Sequence, residues 1–147
     1  MVSEQTIEQY LRDLNISYER LEERLWRTGF RGDVKDIDMQ IRLADSVLIV
    51  ISPFVNAPRK NRAGIHKRLL ELNMDIMLAK FGIDSEGDVY LMTEVMADDL
   101  GVDQFEQAVM SVASLHDQYY GQIVALMYSP LEEDEEEESD LDLEPEE

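Results

Sequence analysis

The most strongly patterned stretch of the chain covers residues 65–96 and predicts a helix followed by a hairpin. One apolar stripe recurs at spacings of three and four, which is typical of the buried face of a helix, and consists of Ile65, Leu69, Leu72 and Ile76. A second stripe widens that face and consists of Leu70, Met74, Met77 and Leu78. A helix that is apolar on two sides needs cover on both, so we expect a helix over residues 65–78 between a sheet and another helix or subunit.

The residues after this helix alternate in polarity around a four-residue turn. Residues 79–83 and 88–96 form the two arms, and the turn Asp84-Ser85-Glu86-Gly87 ends in glycine. Glycine accepts a positive φ without steric cost, and alternation on either side of such a turn is a strong hairpin signal. The pattern therefore predicts an antiparallel hairpin.

The first half of the chain predicts one helix and three strands. Ser3 is placed to cap a first helix that ends at Asn15. Residues 18–26 have a composition that favours a helix but no single period, and we interpret residues 25–30 as an extended segment. Residues 38–43 alternate like a half-buried strand, and residues 47–52, apolar on both faces, predict a central strand that ends at Pro53.

A long helix closes the ordered part of the chain. Gly101 is placed to cap it, and a stripe from Phe105 to Ile123 extends it to about Leu126. The predicted order is α-β-β-β-α-β-β-α. Hairpins with helices gathered on one side indicate an α+β domain of two layers.

The net charge of −20 is unevenly distributed. Residues 132–147 contain 12 of the 33 acidic residues and no basic residue. This composition has almost nothing to bury, so we expect a domain over residues 1–128 and a disordered acidic tail over residues 129–147. The remaining 21 acids and 13 bases give no electrostatic basis for binding nucleic acid or an anionic membrane.

Other features of the composition favour a cytoplasmic protein. No apolar run reaches the length of a membrane span, the first residues lack a signal peptide pattern, and the chain contains no cysteine.

No residue set predicts catalysis, a cofactor or a metal. His66 and His116 lie fifty residues apart without a partner histidine, which favours structural roles. Asp84, Glu86 and Asp88 are similar to the start of an EF-hand loop, but that loop needs a glutamate where Val95 stands. A solvated turn is the better interpretation. Two serines near His116, Ser111 and Ser114, fall in a predicted helix interior.

Two features remain as candidates for binding a partner. Positive charge concentrates at Arg59, Lys60, Arg62, Lys67 and Arg68. This basic cluster is either a solvated loop and first helical turn or a docking patch for an acidic partner segment or the chain's own tail. The second feature is a methionine set, which either fills the core or lines an adaptable groove: Met74, Met77, Met92, Met96 and Met110.

The element order, LLELN in the second predicted helix, FGIDSEGDVYLMTEV in the hairpin and the long closing helix together resemble the YbjN family. The resemblance spans Thr6 to Leu126. That family has the fold of type III secretion chaperones such as the CesT-like ones. The resemblance implies a five-stranded antiparallel sheet with helices packed against it, no catalytic site, and commonly a homodimer.

The sequence thus leads to two functional hypotheses. The first is a non-enzymatic protein-binding domain, chaperone-like or adaptor, that binds an apolar or extended segment of an unidentified protein partner through the basic cluster and through Leu70, Met74 and Met77. The alternative is a regulatory protein in signal transduction that does not hold clients.

Overall fold

The computed structural model describes residues 2–128, which form three helices and one sheet. The elements in chain order are α1 (Glu4–Asp13), β1 (Tyr18–Glu22), β2 (Leu25–Phe30), β3 (Ile37–Ala44), β4 (Val47–Val55), α2 (Arg62–Asp75), β5 (Lys80–Ile83), β6 (Val89–Met96) and α3 (Val102–Met127). The strands are antiparallel and lie in the order β1-β2-β3-β4-β6-β5. The architecture is the expected α+β arrangement of an antiparallel sheet with three helices.

The sheet has six strands, and the prediction of five was wrong because β1 was missed. β1 is an edge strand in which every residue from Glu19 to Glu22 is exposed, so burial imposes no alternation on its sequence. The turn into β2 also lacks the usual turn residues. Its left-handed position is Arg24, with φ 62°, and the Arg24 side chain donates a hydrogen bond of 2.6 Å from Nε to the carbonyl of Leu43.

The central strand β4 continues through Pro53 to Val55, so the predicted end at Pro53 was wrong. Pairing of β4 with β3 stops at Ile51, and a bulge interrupts its pairing with β6 between Pro53 and Val55. The missing N–H of the proline therefore falls where one neighbouring ladder has already ended and the other is irregular.

The core lies between the helices and one face of the sheet. Alternate residues of β3 and β4 point into it, and α3 covers them with Phe105, Val109, Val112 and Ile123. Phe54 at the end of β4 is at the centre of an aromatic group, with ring centroids 4.9 Å from both Phe81 and His116. The predicted inner stripe of α2 is confirmed, since all four of its residues are buried: Ile65, Leu69, Leu72 and Ile76.

The starts of α1 and α3 form as the sequence predicted, whereas α1 ends at Asp13, before the predicted Asn15. The Ser3 hydroxyl accepts a hydrogen bond of 3.2 Å from the amide of Thr6, and Ile7 and Leu11 are fully buried. At the start of α3, the Gln104 side chain accepts from the amide of Gly101 at 2.9 Å.

Helix α2 begins and ends three residues earlier than predicted, so Met77 and Leu78 lie in the connection to β5. Hydrogen bonds between the end of the helix and the start of β5 account for this end. Lys80 Nζ donates to the carbonyls of Asn73 and Ile76, and the Asn73 amide accepts from the N–H of Phe81 at 2.8 Å and donates to its C=O at 3.1 Å. The last carbonyls of α2 are thus satisfied by β5, which lets the helix stop there.

Candidate protein-binding surfaces

The second apolar stripe of the α2 region is exposed. Leu70, Met74, Met77 and Leu78 have exposed fractions of 67%, 86%, 81% and 53%. We call these four residues the α2 apolar surface. The expected cover on this side is not supplied by residues 2–128, whereas the opposite face of the same helix is buried.

The basic cluster divides into two parts. Lys67 and Arg68 lie on α2 beside Glu71, at 2.6 Å and 3.5 Å, and Arg68 also donates to Gln122 of α3 at 2.7 Å. The hydrogen bond and charge of Lys67 lower the pKa of Glu71. The other three residues, Arg59, Lys60 and Arg62, are exposed and form no ion pair with any residue between 2 and 128.

A groove of about 710 Å³ lies beside Arg59 and Lys60 and is also lined by the last described residues, Met127 and Tyr128. We call it the terminal groove. Asn61, at the start of α2, ties the two regions together, because its amide donates to the carbonyl of Leu126 at 3.1 Å. This proximity could not be predicted from the sequence, because it depends on how α2 and α3 pack. Two acids, Glu86 and Asp88, complete the groove's charged lining.

The open face of the sheet carries a second groove, of about 540 Å³. Its floor contains the half-buried apolar residues Ile51 and Met92, which pair across β4 and β6, together with Tyr90. Ile83, 51% exposed, stands at its rim. The groove is partly apolar and is lined by residues of neighbouring strands, which suits an extended segment better than a compact ligand.

The two histidines lie on different helices. His116 is buried, its Nε2 lies 3.1 Å from the carbonyl oxygen of Pro53, and its ring stacks on Tyr120. Burial lowers the pKa of His116, so the ring is neutral at physiological pH and packs as an aromatic residue. His66 lies half-buried on α2.

The Asp84–Asp88 turn organises its own backbone. The Asp84 carboxylate accepts from the amides of Glu86 and Asp88, both at 3.0 Å, and Gly87 takes a φ of 88°. The Asp88 carboxylate accepts from the amide of Ala57 at 2.7 Å. No group of acids and histidines within residues 2–128 is arranged to hold a metal ion.

The serines and methionines noted in the sequence are placed as follows. Ser111 and Ser114 donate to the helix carbonyls of Ala108 and Met110, at 2.8 Å and 2.7 Å. The five methionines of the noted set are spread over α2, the connection after it, β6 and α3. All are exposed except Met92, which is half-buried.

The fold is similar to that of type III secretion chaperones. Similar solved structures include the heterodimeric ExoU–SpcU complex from the type III secretion system of Pseudomonas aeruginosa (TM-score 0.59, 13% identity, 83% of this chain and 98% of that chain). The ExsC–ExsE complex is also similar (TM-score 0.58, 17% identity, 78% and 88%). At this identity the likeness concerns the fold.

The chain belongs to the YbjN family, whose model, "Putative bacterial sensory transduction regulator", matches residues 3–124. The crystal structure of YbjN from E. coli is correspondingly similar, with a TM-score of 0.60 and 15% identity over 80% of this chain and 91% of that one. No curated protein matches the sequence. Across the described part of the chain, no helix combines the length and the apolar character that a membrane span requires.

Proposed function

We propose that this chain is a non-enzymatic protein-binding domain, chaperone-like or adaptor, that buries its α2 apolar surface against another protein chain. The observation that carries the proposal is the exposure of four long apolar side chains, two on α2 and two in the connection after it. Large apolar side chains that are exposed close together along the chain are typical of a site of protein association.

The first chain to bind there is a second copy, which gives a homodimer. Leu70 and Met74 are one helical turn apart, so two antiparallel copies of α2 can place each pair against the other. Methionine side chains adapt to an irregular partner surface, which suits a contact that a monomer leaves open.

The groove on the open face of the sheet is the proposed site for an extended partner segment. Ile51, Tyr90 and Met92 offer apolar contacts at alternating positions across two strands, which match the two-residue side-chain period of an extended peptide. Two similar structures are complexes with protein partners, ExsC with ExsE and SpcU with ExoU, and this supports the choice of a protein ligand.

A regulatory protein in signal transduction without client-holding activity is the second candidate, favoured by the description of the family model. The two candidates differ in how many partners they bind. Affinity capture of one defined partner supports the regulator, and suppression of aggregation of several unrelated unfolded proteins supports the chaperone-like role.

Sedimentation velocity at micromolar concentration tests the dimer. The wild-type chain should sediment as a dimer, and Leu70→Glu with Met74→Glu should convert it to a monomer because two carboxylates would be buried in the interface. The matched control is Val34→Glu with Leu21→Glu, which places the same charges at apolar residues that are 64% and 41% exposed elsewhere. The control should remain a dimer, and a monomeric wild type would contradict the proposal.

A further inference from the structure

We infer that the acidic C-terminal segment, residues 129–147 of this same chain, binds against Arg59 and Lys60 in the terminal groove and against Arg62 at the adjacent start of α2. This inference concerns only these three residues of the basic cluster and does not depend on what covers the α2 apolar surface.

The first support is where the described chain ends. The hydrogen bond from Asn61 to the carbonyl of Leu126 fixes the end of α3 beside the start of α2. Met127 and Tyr128 then line the same groove as Arg59 and Lys60. The acidic segment therefore leaves the fold at the basic residues, and its first acid, Glu132, is four residues beyond Tyr128.

The second support is charge. Arg59, Lys60 and Arg62 have no acidic partner among residues 2–128, although the chain as a whole carries an excess of acids. Residues 132–147 contain 12 acids and no base, so the segment has the complementary sign.

The start of α2 adds to the positive potential at this place. Asn61 makes no side-chain cap hydrogen bond, and the first turn of α2 contains no acidic residue. The free N–H groups of that turn carry partial positive charge, which an acidic segment can complement.

The acids already in the groove limit where the segment can bind. Asp88 is engaged by the amide of Ala57, while Glu86 is exposed and repels other carboxylates. The segment should therefore bind on the Arg59–Arg62 side of the groove, away from the β5–β6 turn.

Because the acidic segment is tethered to the domain, weak charge pairs are sufficient to hold it against the basic residues. A short flexible link gives an effective concentration of about millimolar order, so the segment competes with any acidic partner in solution at lower concentration. An acidic partner segment has to displace it, which makes the tail an intramolecular competitor for the basic cluster.

A nitroxide label reports the position of the tail in the full chain. The chain has no cysteine, so Ser139→Cys gives a single attachment site. We expect the label to broaden the amide signals of residues 59–62 in ¹⁵N-labelled protein. The broadening should be lost at about 0.5 M salt, where the screening length falls to a few Å.

Two charge-matched variants separate binding from simple proximity. Arg59→Gln with Lys60→Gln should abolish the broadening, whereas Arg31→Gln with Arg42→Gln, which removes the same charge from exposed residues elsewhere, should leave it unchanged. Broadening that is absent, or that survives Arg59→Gln with Lys60→Gln, would overturn the inference.

A mixing experiment identifies the source of the tail. A chain that carries the nitroxide but no ¹⁵N is mixed with ¹⁵N-labelled wild-type chain that carries no nitroxide. The amide signals of the wild-type chain should remain sharp. Broadening of the wild-type signals would show that the groove binds the tail of a second copy, and it would overturn the intramolecular proposal.

Discussion

Helices α1 and α2 differ in how completely residues 2–128 cap their ends and cover their apolar side chains. α1 has a side-chain cap at Ser3, an acid in its first turn, a basic residue in its last turn and a single buried stripe. α2 has no side-chain cap hydrogen bond, no acid in its first turn and no basic residue in its last turn. Its outer side carries the exposed Leu70 and Met74.

This difference separates structural from interaction surfaces. Every feature of α1 is explained by helix chemistry and by burial against the sheet. In α2 only the inner stripe is explained in that way. The two unexplained features of this helix, its uncapped start and its apolar outer side, are both places where we propose that other polypeptide binds.

The comparison is tested most strongly by two leucines of α2. Leu72→Ala should lower the free energy of unfolding by about 2–5 kcal/mol, because Leu72 is fully buried and truncation leaves a cavity. Leu70→Ala, two residues away on the exposed side, should change it by less than about 0.5 kcal/mol in the dilute monomer. Urea unfolding followed by circular dichroism measures both.

The same pair distinguishes solvated from interface leucine. When protein concentration is raised until the wild type dimerises, the loss of unfolding free energy caused by Leu70→Ala should increase. The loss caused by Leu72→Ala should stay constant. If Leu70→Ala lowered the free energy of unfolding only slightly at every protein concentration, the outer side of α2 would need no binding partner, as is the case for α1.

An intermediate effect is expected at the two helix starts. Asn61 is buried with a φ of 54° and bonds to the carbonyl of Leu126, so Asn61→Ala should cost about 2 kcal/mol through backbone strain and the lost bond. Asn61→Gly should cost about 1 kcal/mol, because glycine accepts the positive φ without strain and only the hydrogen bond is lost. Thermal or urea unfolding gives the values.

The counterpart in α1 is Ser3→Ala, which should cost about 1 kcal/mol through the lost cap. If Asn61→Ala cost no more than Ser3→Ala, the link between α2 and α3 would be weaker than the structure indicates.

The smallest effect concerns an exposed ion pair on α2. Lys67→Gln should raise the pKa of Glu71 toward its ordinary value, and Arg68→Gln should raise it less, because Lys67 has the larger influence. The folded-state pKa of Glu71 is lowered, so the contribution of this pair to stability is present above the ordinary pKa of a glutamate and is lost as the pH falls through the lowered one. Carboxyl ¹³C titration by NMR measures these midpoints, and an unchanged midpoint in Lys67→Gln would contradict the assignment.

Sequence patterns predicted the parts of the fold in which burial and local chemistry agree. The β5–β6 hairpin was predicted because Val89 and Leu91 alternate into the core and Gly87 takes the positive φ of the turn. The inner stripe of α2 was predicted because its spacing matches the helix period.

Patterns failed where tertiary contacts set the structure. β1 has no buried face to impose alternation, and its turn depends on Arg24 reaching the carbonyl of Leu43. The early end of α2 depends on Lys80 and Asn73, which meet through packing. The terminal groove could not be predicted because it joins residues more than sixty positions apart.

The Asn73 amide has a consequence for how copies of this protein can associate. It occupies both the N–H and the C=O of Phe81, which β5 would otherwise present along its outer edge. The opposite edge, β1, alternates Glu19, Arg20 and Glu22 across a bulge. A side chain thus caps one edge of the sheet at Phe81, and charged residues line the other edge, and both features disfavour the strand-to-strand association of copies that leads to fibrils.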